Sequence, residues 1–214
     1  DIARPSTCEI TNIGQCHLEF LGDRDGVLRA KTEIFNYLRE GGRAALNGDD
    51  DKLATIHEVQ GRPPVFFGLN PEYPVYADEI ESCGLKGTKC RIHLPGAEFT
   101  VQIPMPGRHM VYNSLAAAAV GVLYGLTPEQ IRRGIESLEP ISGRFRMVET
   151  QKYLIVDDCY NANPVSMKAS LDILRDALGR KVAVLGDMGE LGADATQMHE
   201  DVGKYAAGCG LDLL

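Results

Sequence analysis

The sequence predicts an α/β fold throughout, and three regions of the chain support this prediction. Residues 62–106 divide into short runs rich in β-branched and aromatic residues, separated by Gly and Pro, as in a mixed or antiparallel sheet. Residues 108–138 carry helical patterns. From residue 153 onward, apolar runs of strand length alternate with helical stretches, which is typical of a parallel, open sheet.

The first elements are a strand and a helix. The run CEITNI at 8–13 predicts the strand, and Asp23 or Asp25 is placed to cap a helix that begins near Gly26. We expect this helix to end at the Gly pair 41–42, a natural C-terminal stop. Its apolar face at helical spacing consists of Val27, Leu28, Ile34, Phe35 and Leu38.

The middle of the chain continues the alternation. RAALN at 43–47 predicts a short strand, and the alanine-rich, nearly all apolar run 113–126 predicts a buried helix. Thr127, Pro128 and Gln130 form a start signal for the next helix: a capping residue, a proline at the first helical position and a glutamine three residues after the cap.

A break rich in Pro and Gly at 139–145 divides the chain, and we place a domain boundary there, between residues 1–143 and 144–214. The elements predicted beyond it are a strand pair, a helix with Met167, Leu171, Leu174 and Leu178 aligned, a strand at 181–186, a helix from residue 194 and a short run at 211–214. The alternating series contains only two strands, at 153–158 and 181–186, and the beginning of a third at 211–214, and so few strands seldom form an independent sheet. The chain is therefore interpreted as part of a larger protein, and a small complete α/β protein is the alternative.

Composition narrows the classes of function. The formal net charge is −8 and no long Lys/Arg run occurs, which argues against nucleic acid and anionic membranes as partners. No stretch of about 18 apolar residues and no export signal is present, so we expect a cytoplasmic protein. The six cysteines include no C-x-x-C pair and are interpreted as reduced thiols, without a structural zinc site.

Two residues of the first part stand out chemically. His17 lies in a polar turn just after an apolar strand, where open α/β sheets place binding residues, although an ordinary surface histidine is the simpler interpretation. Lys31 falls on the apolar stripe of its helix. An ammonium group there must reach out to solvent, find an anion or be chemically altered.

A second polar group follows the strand that ends at 157. Asp157 and Asp158 should project at the carboxyl edge of the sheet, where α/β proteins bind ligands. Asn163, followed by a proline, is fully explained as a helix cap, which leaves Asn161 and the two carboxylates unexplained. Arg144, at the domain junction, could reach a phosphate or carboxylate, but a solvated arginine is equally consistent.

The Gly-rich stretch 186–192 follows another predicted strand. Asp194 and Gln197 can cap the helix after it, and Glu190 and His199 are either functional or merely exposed. The phosphate-binding pattern G-x-x-x-x-G-K-[ST] is missing, because the one Gly-Lys pair, at 203–204, is followed by tyrosine. The chain by itself therefore cannot bind nucleotide phosphates in the P-loop manner.

Seven motifs together resemble the Mur ligase family in order and spacing. They are TNIGQCHLEFLG, AKTEIF, NGDD, GRHMVYNSLAAAAV, SGRFR, DDCYNANPVSM and LGDMGELG. The resemblance covers essentially the whole chain and implies the later part of a central, ATP-binding domain followed by the first part of a Rossmann-like C-terminal domain. YNANP is most similar to the members that join D-alanyl-D-alanine to UDP-N-acetylmuramoyl-tripeptide, monomeric enzymes that use ATP and Mg²⁺ and form an acyl phosphate.

The resemblance also implies roles for individual residues. His17 matches a magnesium-binding histidine, and Lys31 matches a lysine carried as a carbamate, which would be a second metal ligand. Asn113, Arg144 and Asp158 match nucleotide-binding positions. The positions that match dipeptide-facing or cleft-facing motifs are Asn161, Asn163, Glu190 and His199.

The sequence departs from the family pattern at two places, Cys159 in place of the usual serine and Gln15 in place of the common glutamate. A thiol is the weaker hydrogen-bond donor, which puts any contact at Cys159 in doubt. Two other functions remain open: another amide ligase of the same family, such as a folylpolyglutamate synthase, and a non-catalytic binding module that has lost its P-loop.

Overall fold

The computed structural model describes residues 3–15 and 17–214, and its first part is built around one six-stranded sheet. The strands follow chain order across it: β1 (Thr7–Ile10), β2 (Arg43–Asn47), β3 (Val65–Gly68), β4 (Val75–Ser82), β5 (Thr88–Leu94) and β6 (Ala97–Ile103). β1 to β4 pair in parallel, and β4, β5 and β6 pair antiparallel. The predicted mixed sheet is confirmed.

The main core lies between this sheet and the helix α3 (Arg108–Leu123), which the alanine-rich run correctly predicted. Leu115, Ala118 and Ala119 are fully buried there against strand residues. The next helix, α4 (Pro128–Glu136), begins with the predicted capping box of Thr127 and Gln130. Local signals specify both helices, because alanine has a high helix propensity and a capping box satisfies backbone N–H groups.

The first helical region differs from its prediction at its C-terminal end. A single helical turn, α1 (Leu18–Leu21), precedes α2 (Arg24–Thr32), and Asp23 caps α2 by accepting a hydrogen bond from the Gly26 N–H. α2 ends at Thr32 and continues as a 3-10 helix over Glu33–Tyr37. Because the 3-10 period is three residues per turn, Ile34 rotates off the apolar face and is exposed.

The region after residue 145 contains two strands, two α-helices and one 3-10 helix (Gly192–Asp194). These strands and α-helices are β7 (Arg146–Glu149), β8 (Leu154–Asp157), α5 (Pro164–Arg175) and α6 (Ala195–Ala207). β7 and β8 form an antiparallel hairpin. The predicted parallel sheet is wrong for the described residues: segment 181–186 makes one parallel bridge, Val182 to Leu213, and β8 pairs only with β7. A strand needs a neighbouring strand that pairs with it along its length. Segment 211–214 pairs with segment 181–186 at one position, which is too little to form a sheet.

Two smaller predictions in this region also need correction. Leu178 is 99% exposed, because α5 ends at Arg175 and the helical period no longer applies at residue 178. Asp194 occupies the N-cap position of α6 but makes no side-chain capping bond, and Gln197 donates to Asp201 instead.

Helix α5 connects the two regions through its side chains. Leu171 packs with α6 in the smaller core of the second region, and Ile173 packs in the main core with the sheet and α3. Phe145 is also buried in the main core. These contacts place the loops after β8 beside the first region.

Candidate functional site

Polar loops follow β1, β2 and β3 at one edge of the sheet, because these strands are parallel and their carboxyl ends lie together. Asn47 links two of the loops: its side-chain amide donates to the Thr11 carbonyl at 2.9 Å, and its oxygen accepts from the Asp49 N–H at 3.0 Å. Asp50 links them a second time by accepting from the Ile13 N–H at 2.7 Å. The edge is therefore held by side chain to backbone bonds.

Lys31 reaches this edge from α2. Its Nζ donates to the carbonyl oxygen of Asn12 at 2.8 Å, in the loop that leads from β1 to His17. The side chain is partly buried on its helix, so the ammonium leaves the apolar stripe at its polar end. Lys31 thus contacts the loop that leads to His17.

Asp49 is a further polar centre of this edge that sequence reasoning did not assign. Its Oδ2 accepts from the Leu69 N–H at 2.7 Å and from the Tyr112 hydroxyl at 3.0 Å. Burial, together with the Asp49 carboxylate, raises the pKa of Tyr112 to about 12, so the hydroxyl stays protonated as a donor. A Cβ at Gly68 would lie 2.7 Å from the Asp49 carboxylate, so the strand end requires glycine. The signal in the sequence was the acidic run directly after a strand.

His17 contacts Glu190, although 173 positions separate them in the chain. The imidazole Nδ1 forms a hydrogen bond with Glu190 Oε2, and the Glu190 carbonyl accepts from the Glu19 N–H at 3.4 Å. Both partners have left-handed backbones, with φ of 54° at His17 and 58° at Glu190. Non-glycine residues rarely adopt this conformation outside special sites, so the backbone here is locally strained.

Asp158 and Arg144 also lie close together, at the junction of the two regions. Asp158 Oδ1 accepts from the Phe145 N–H at 3.1 Å, and its Oδ2 accepts from the Ser170 hydroxyl of α5. The Arg144 guanidinium lies over the Tyr160 ring, 4.3 Å from its centre. The structure therefore brings the arginine, the carboxylate and the loop after β8 into one cluster.

The three predicted asparagines differ in their surroundings. Asn113 lies on the exposed face of α3, and its amide contacts the Met110 sulfur at 3.5 Å. Asn161 is exposed, and its Oδ1 accepts from the next N–H along the chain. Asn163 caps α5 by accepting from Val165 and Ser166, so its predicted structural role is confirmed.

His199 lies on α6 and holds the beginning of the Gly-rich loop. Its Nδ1 lies 2.8 Å from the Ala195 carbonyl oxygen, and its Nε2 lies 2.6 Å from Asp187 Oδ1. The pKa of His199 is raised, first by the Ala195 carbonyl and then by Asp187, which both favour the imidazolium. Glu190 is three positions beyond Asp187, so His199 and His17 contact the same loop at different points.

Two absences hold for residues 3–15 and 17–214. None of the helices there is long and apolar enough to cross a bilayer. The same residues contain no group of three or more His, Cys, Asp or Glu side chains arranged to hold a metal ion. The donors gathered at His17 are one imidazole and one carboxylate, a partial ligand set for a divalent cation. Cys16 lies outside the described residues, and the other five cysteines are free thiols.

Comparisons with known proteins agree over both regions. The family model of the Mur ligase middle domain matches residues 1–121, and that of the Mur ligase, glutamate ligase domain, matches residues 143–213. The UDP-N-acetylmuramoyl-tripeptide–D-alanyl-D-alanine ligases of Escherichia coli and Bacillus subtilis are each 35% identical, over 99% and 94% of this chain. The alignments cover 47% and 44% of those enzymes, so the chain spans about half the length of the curated relatives it matches.

Solved structures give the same result. A crystal structure of MurF from Acinetobacter baumannii superposes with a TM-score of 0.91 at 36% identity, covering 98% of this chain and 46% of that one. MurF from Thermotoga maritima, solved in complex with ADP, superposes with a TM-score of 0.83 at 31% identity, covering 95% of this chain and 47% of that one. The sheet with α3, the loops at its carboxyl edge and the second region thus have counterparts in these ligases, and the chain belongs to the Mur ligase family.

Proposed function

We propose that this chain is part of a ligase that uses ATP to join D-alanyl-D-alanine to UDP-N-acetylmuramoyl-tripeptide in cytoplasmic peptidoglycan synthesis, and thereby supports cell shape and division. One observation carries the proposal: relatives with this activity in their names align with 94 to 99% of the chain at 35% identity. In such a reaction the tripeptide carboxylate takes a phosphoryl group from ATP, and the dipeptide amine then displaces phosphate from the acyl phosphate. Phosphoryl transfer of this kind depends mainly on positioning and charge neutralisation.

We place the boundary between two domains of this ligase at residues 143 and 144. The two family matches end at residue 121 and begin at residue 143, so α4 lies between them. Arg144 to the C-terminus then belongs to the C-terminal domain. The assignment of α4 to the first domain rests on its contacts with α3 and β6.

His17 and Lys31 are the proposed metal-binding residues, with Mg²⁺ as the ion. When bound, Mg²⁺ supplies positive charge to the reacting phosphates. Lys31 would serve as a carbamate: its neutral amine attacks CO₂, an N–C bond forms and a proton is released, which replaces the cation by a carboxylate. The hydrogen bond from Nζ to the Asn12 carbonyl holds the side chain at the polar edge where such a group is needed.

Asn113, Arg144 and Asp158 are the proposed nucleotide-binding residues. The exposed face of α3 presents Asn113, and Arg144 carries the charge that suits a phosphate. Asp158 already accepts two hydrogen bonds within the protein, so its contribution includes holding residue 145 in place.

The proposed residues for the incoming dipeptide are Asn161, Asn163, Glu190 and His199. Glu190 is the one among them that reaches the first region, through His17. Its carboxylate suits the amine of the dipeptide by charge. Asn163 and His199 are engaged by their own helices and support neighbouring loops.

The test is an assay of the ligase polypeptide that contains this chain, supplied with UDP-N-acetylmuramoyl-tripeptide, ATP and Mg²⁺. We expect phosphate release and a new amide with D-alanyl-D-alanine, and none with glutamate as acceptor. Turnover with glutamate and a folate substrate would instead support a folylpolyglutamate synthase. Nucleotide binding without turnover in every assay would support a non-catalytic module.

A second assay uses the 214-residue chain alone. We expect neither ATP hydrolysis nor amide formation, because the sequence has no P-loop motif to bind the phosphates. Turnover by the purified chain that is lost in a Lys31→Ala variant would show that phosphate binding here does not require that motif.

A further inference from the structure

We infer that Tyr160 is a positioning residue that holds the Arg144 guanidinium in place for an oxyanion of the nucleotide phosphates. The inference rests on the proposed function and deepens it, since it names how the arginine is oriented. Family resemblance assigned a role to Arg144 but none to Tyr160.

Arg144 lies between two residues with left-handed backbones, with φ of 75° at Gly143 and 52° at Phe145. Two carboxylates hold this unusual segment: the Gly143 N–H donates to Asp157 Oδ2, and the Phe145 N–H donates to Asp158 Oδ1, each at 3.1 Å. The two hydrogen bonds hold the arginine backbone on both sides. A positive φ at phenylalanine is costly, so the surrounding structure must enforce it.

The Tyr160 ring lies against the same segment. The Tyr160 N–H donates to the Gly143 carbonyl at 3.0 Å, and a Cβ at Gly143 would lie 3.2 Å from the Tyr160 Cβ. The Arg144 guanidinium lies over the ring at 4.3 Å from its centre. Tyr160 is 68% exposed, so burial of the ring in a core does not explain its position.

This geometry leaves the arginine suited to a phosphate. A guanidinium held over a ring by a cation–π contact keeps N–H donors that the contact itself does not use. Those donors can bind two oxygens of a phosphate or carboxylate at once. A side chain held in this way has also lost rotamer freedom before the ligand arrives, which reduces the entropic cost of binding.

The same contacts explain the role of the two carboxylates at the end of β8. Asp157 and Asp158 each accept a backbone N–H from the Arg144 segment, and Cys159 donates to Asp157 from the other side. The hydrogen bonds from Cys159 and Gly143 lower the pKa of Asp157, so it stays ionised as an acceptor. Both carboxylates therefore fix the backbone that carries Arg144.

The experiment measures ATP kinetics in the ligase polypeptide with Tyr160→Leu, Tyr160→Phe and the control Tyr153→Leu, a tyrosine that is 69% exposed in the β7–β8 hairpin turn. For Tyr160→Leu we expect KM for ATP to rise about three- to fivefold, the range of an exposed cation–π contact. KM for the dipeptide should not change. Tyr160→Phe, which keeps the ring, and Tyr153→Leu should leave KM for ATP within about twofold of wild type, the scale of a neutral surface change.

A double-mutant cycle with Arg144→Ala separates positioning from a general structural effect. If Tyr160 acts through the arginine, adding Tyr160→Leu to Arg144→Ala should raise KM no further. Additive effects, or an unchanged KM in Tyr160→Leu, would overturn this inference while an active ligase still supported the proposed function. A wild-type polypeptide without ligase activity would overturn both.

Discussion

The two regions of the chain use similar elements but differ sharply in how completely they bury them. In the six-stranded sheet, Leu46, Phe67 and Ile92 are fully buried. In the second region, Leu154 and Ile155 of β8 are about half exposed, and Val184 in segment 181–186 is 93% exposed. Apolar strands alone therefore do not make a core, because a sheet also needs neighbouring strands and a layer over each face.

The second region depends on its two helices and on the first region. Its own core joins α5 and α6 through Leu171, Val202 and Ala206. Ile173 and Phe145 anchor it to the main core. We therefore expect substitutions in the core of the first region to lower the free energy of unfolding most. Substitutions at contacts between the regions should lower it less, and those at exposed strand positions of the second region should hardly change it.

The largest expected effect is at Leu115, which is fully buried in α3. Leu115→Ala should lower the free energy of unfolding by about 4 kcal/mol, since it removes buried methyl groups and leaves a cavity. Val184→Ala is the matched control and should change it by less than about 0.5 kcal/mol. Urea denaturation measures both, and a comparable loss at Val184 would show that the second region is better packed than its exposure indicates.

The contact between regions comes next. Ile173→Ala should cost about 3 kcal/mol, because the side chain leaves the main core. Hydrogen exchange should show faster exchange of the backbone amides of α5, while the amides of the six-stranded sheet stay protected. Equal loss of protection in both regions would mean that they unfold as one unit.

Each region contains a helix with a side-chain N-cap, so the same kind of substitution can be made in both. Thr127→Ala removes the cap of α4, and Asn163→Ala removes the cap of α5. Each should cost about 1 kcal/mol. Because capping is local, we expect similar values by thermal denaturation, and a much larger loss at Asn163 would indicate that the loop after β8 depends on it.

The smallest effect is on the pH dependence of stability, where a histidine from each region should act with opposite sign. The raised pKa of His199 means that its contribution is complete below 6.5 and is lost as pH rises through its folded pKa. Desolvation by neighbouring groups lowers the pKa of His109, although the residue is exposed at the surface, and the nearby Asp158 opposes this shift. Its contribution to stability is therefore complete above pH 6.5 and is lost as pH falls through its folded pKa. Denaturation from pH 5 to 8 should therefore show a flatter alkaline side in His199→Gln and a flatter acidic side in His109→Gln; an unchanged profile would contradict the assignment.

Local patterns in the sequence predicted much of the fold. The run 43–47 forms β2 with the predicted bounds. Thr127 caps α4 and Asn163 caps α5, as their local sequences predicted. The prediction failed where pairing is distant: segment 181–186 was expected in a parallel sheet, and it makes a single bridge. The roles of the site residues stay predictions.

Patterns in the amino-acid sequence were sufficient to predict the fold class, most helices, the family and the identity of the polar residues at the strand ends. Propensity, capping and hydrophobic period act over a few residues, and the family follows from the order of short motifs along the chain. The packing of the chain was needed to see that His17 contacts Glu190, that Asp49 contacts Tyr112 and that Arg144 lies over Tyr160. Such contacts join distant segments, so they depend on how the sheet and α5 pack, which no local pattern encodes.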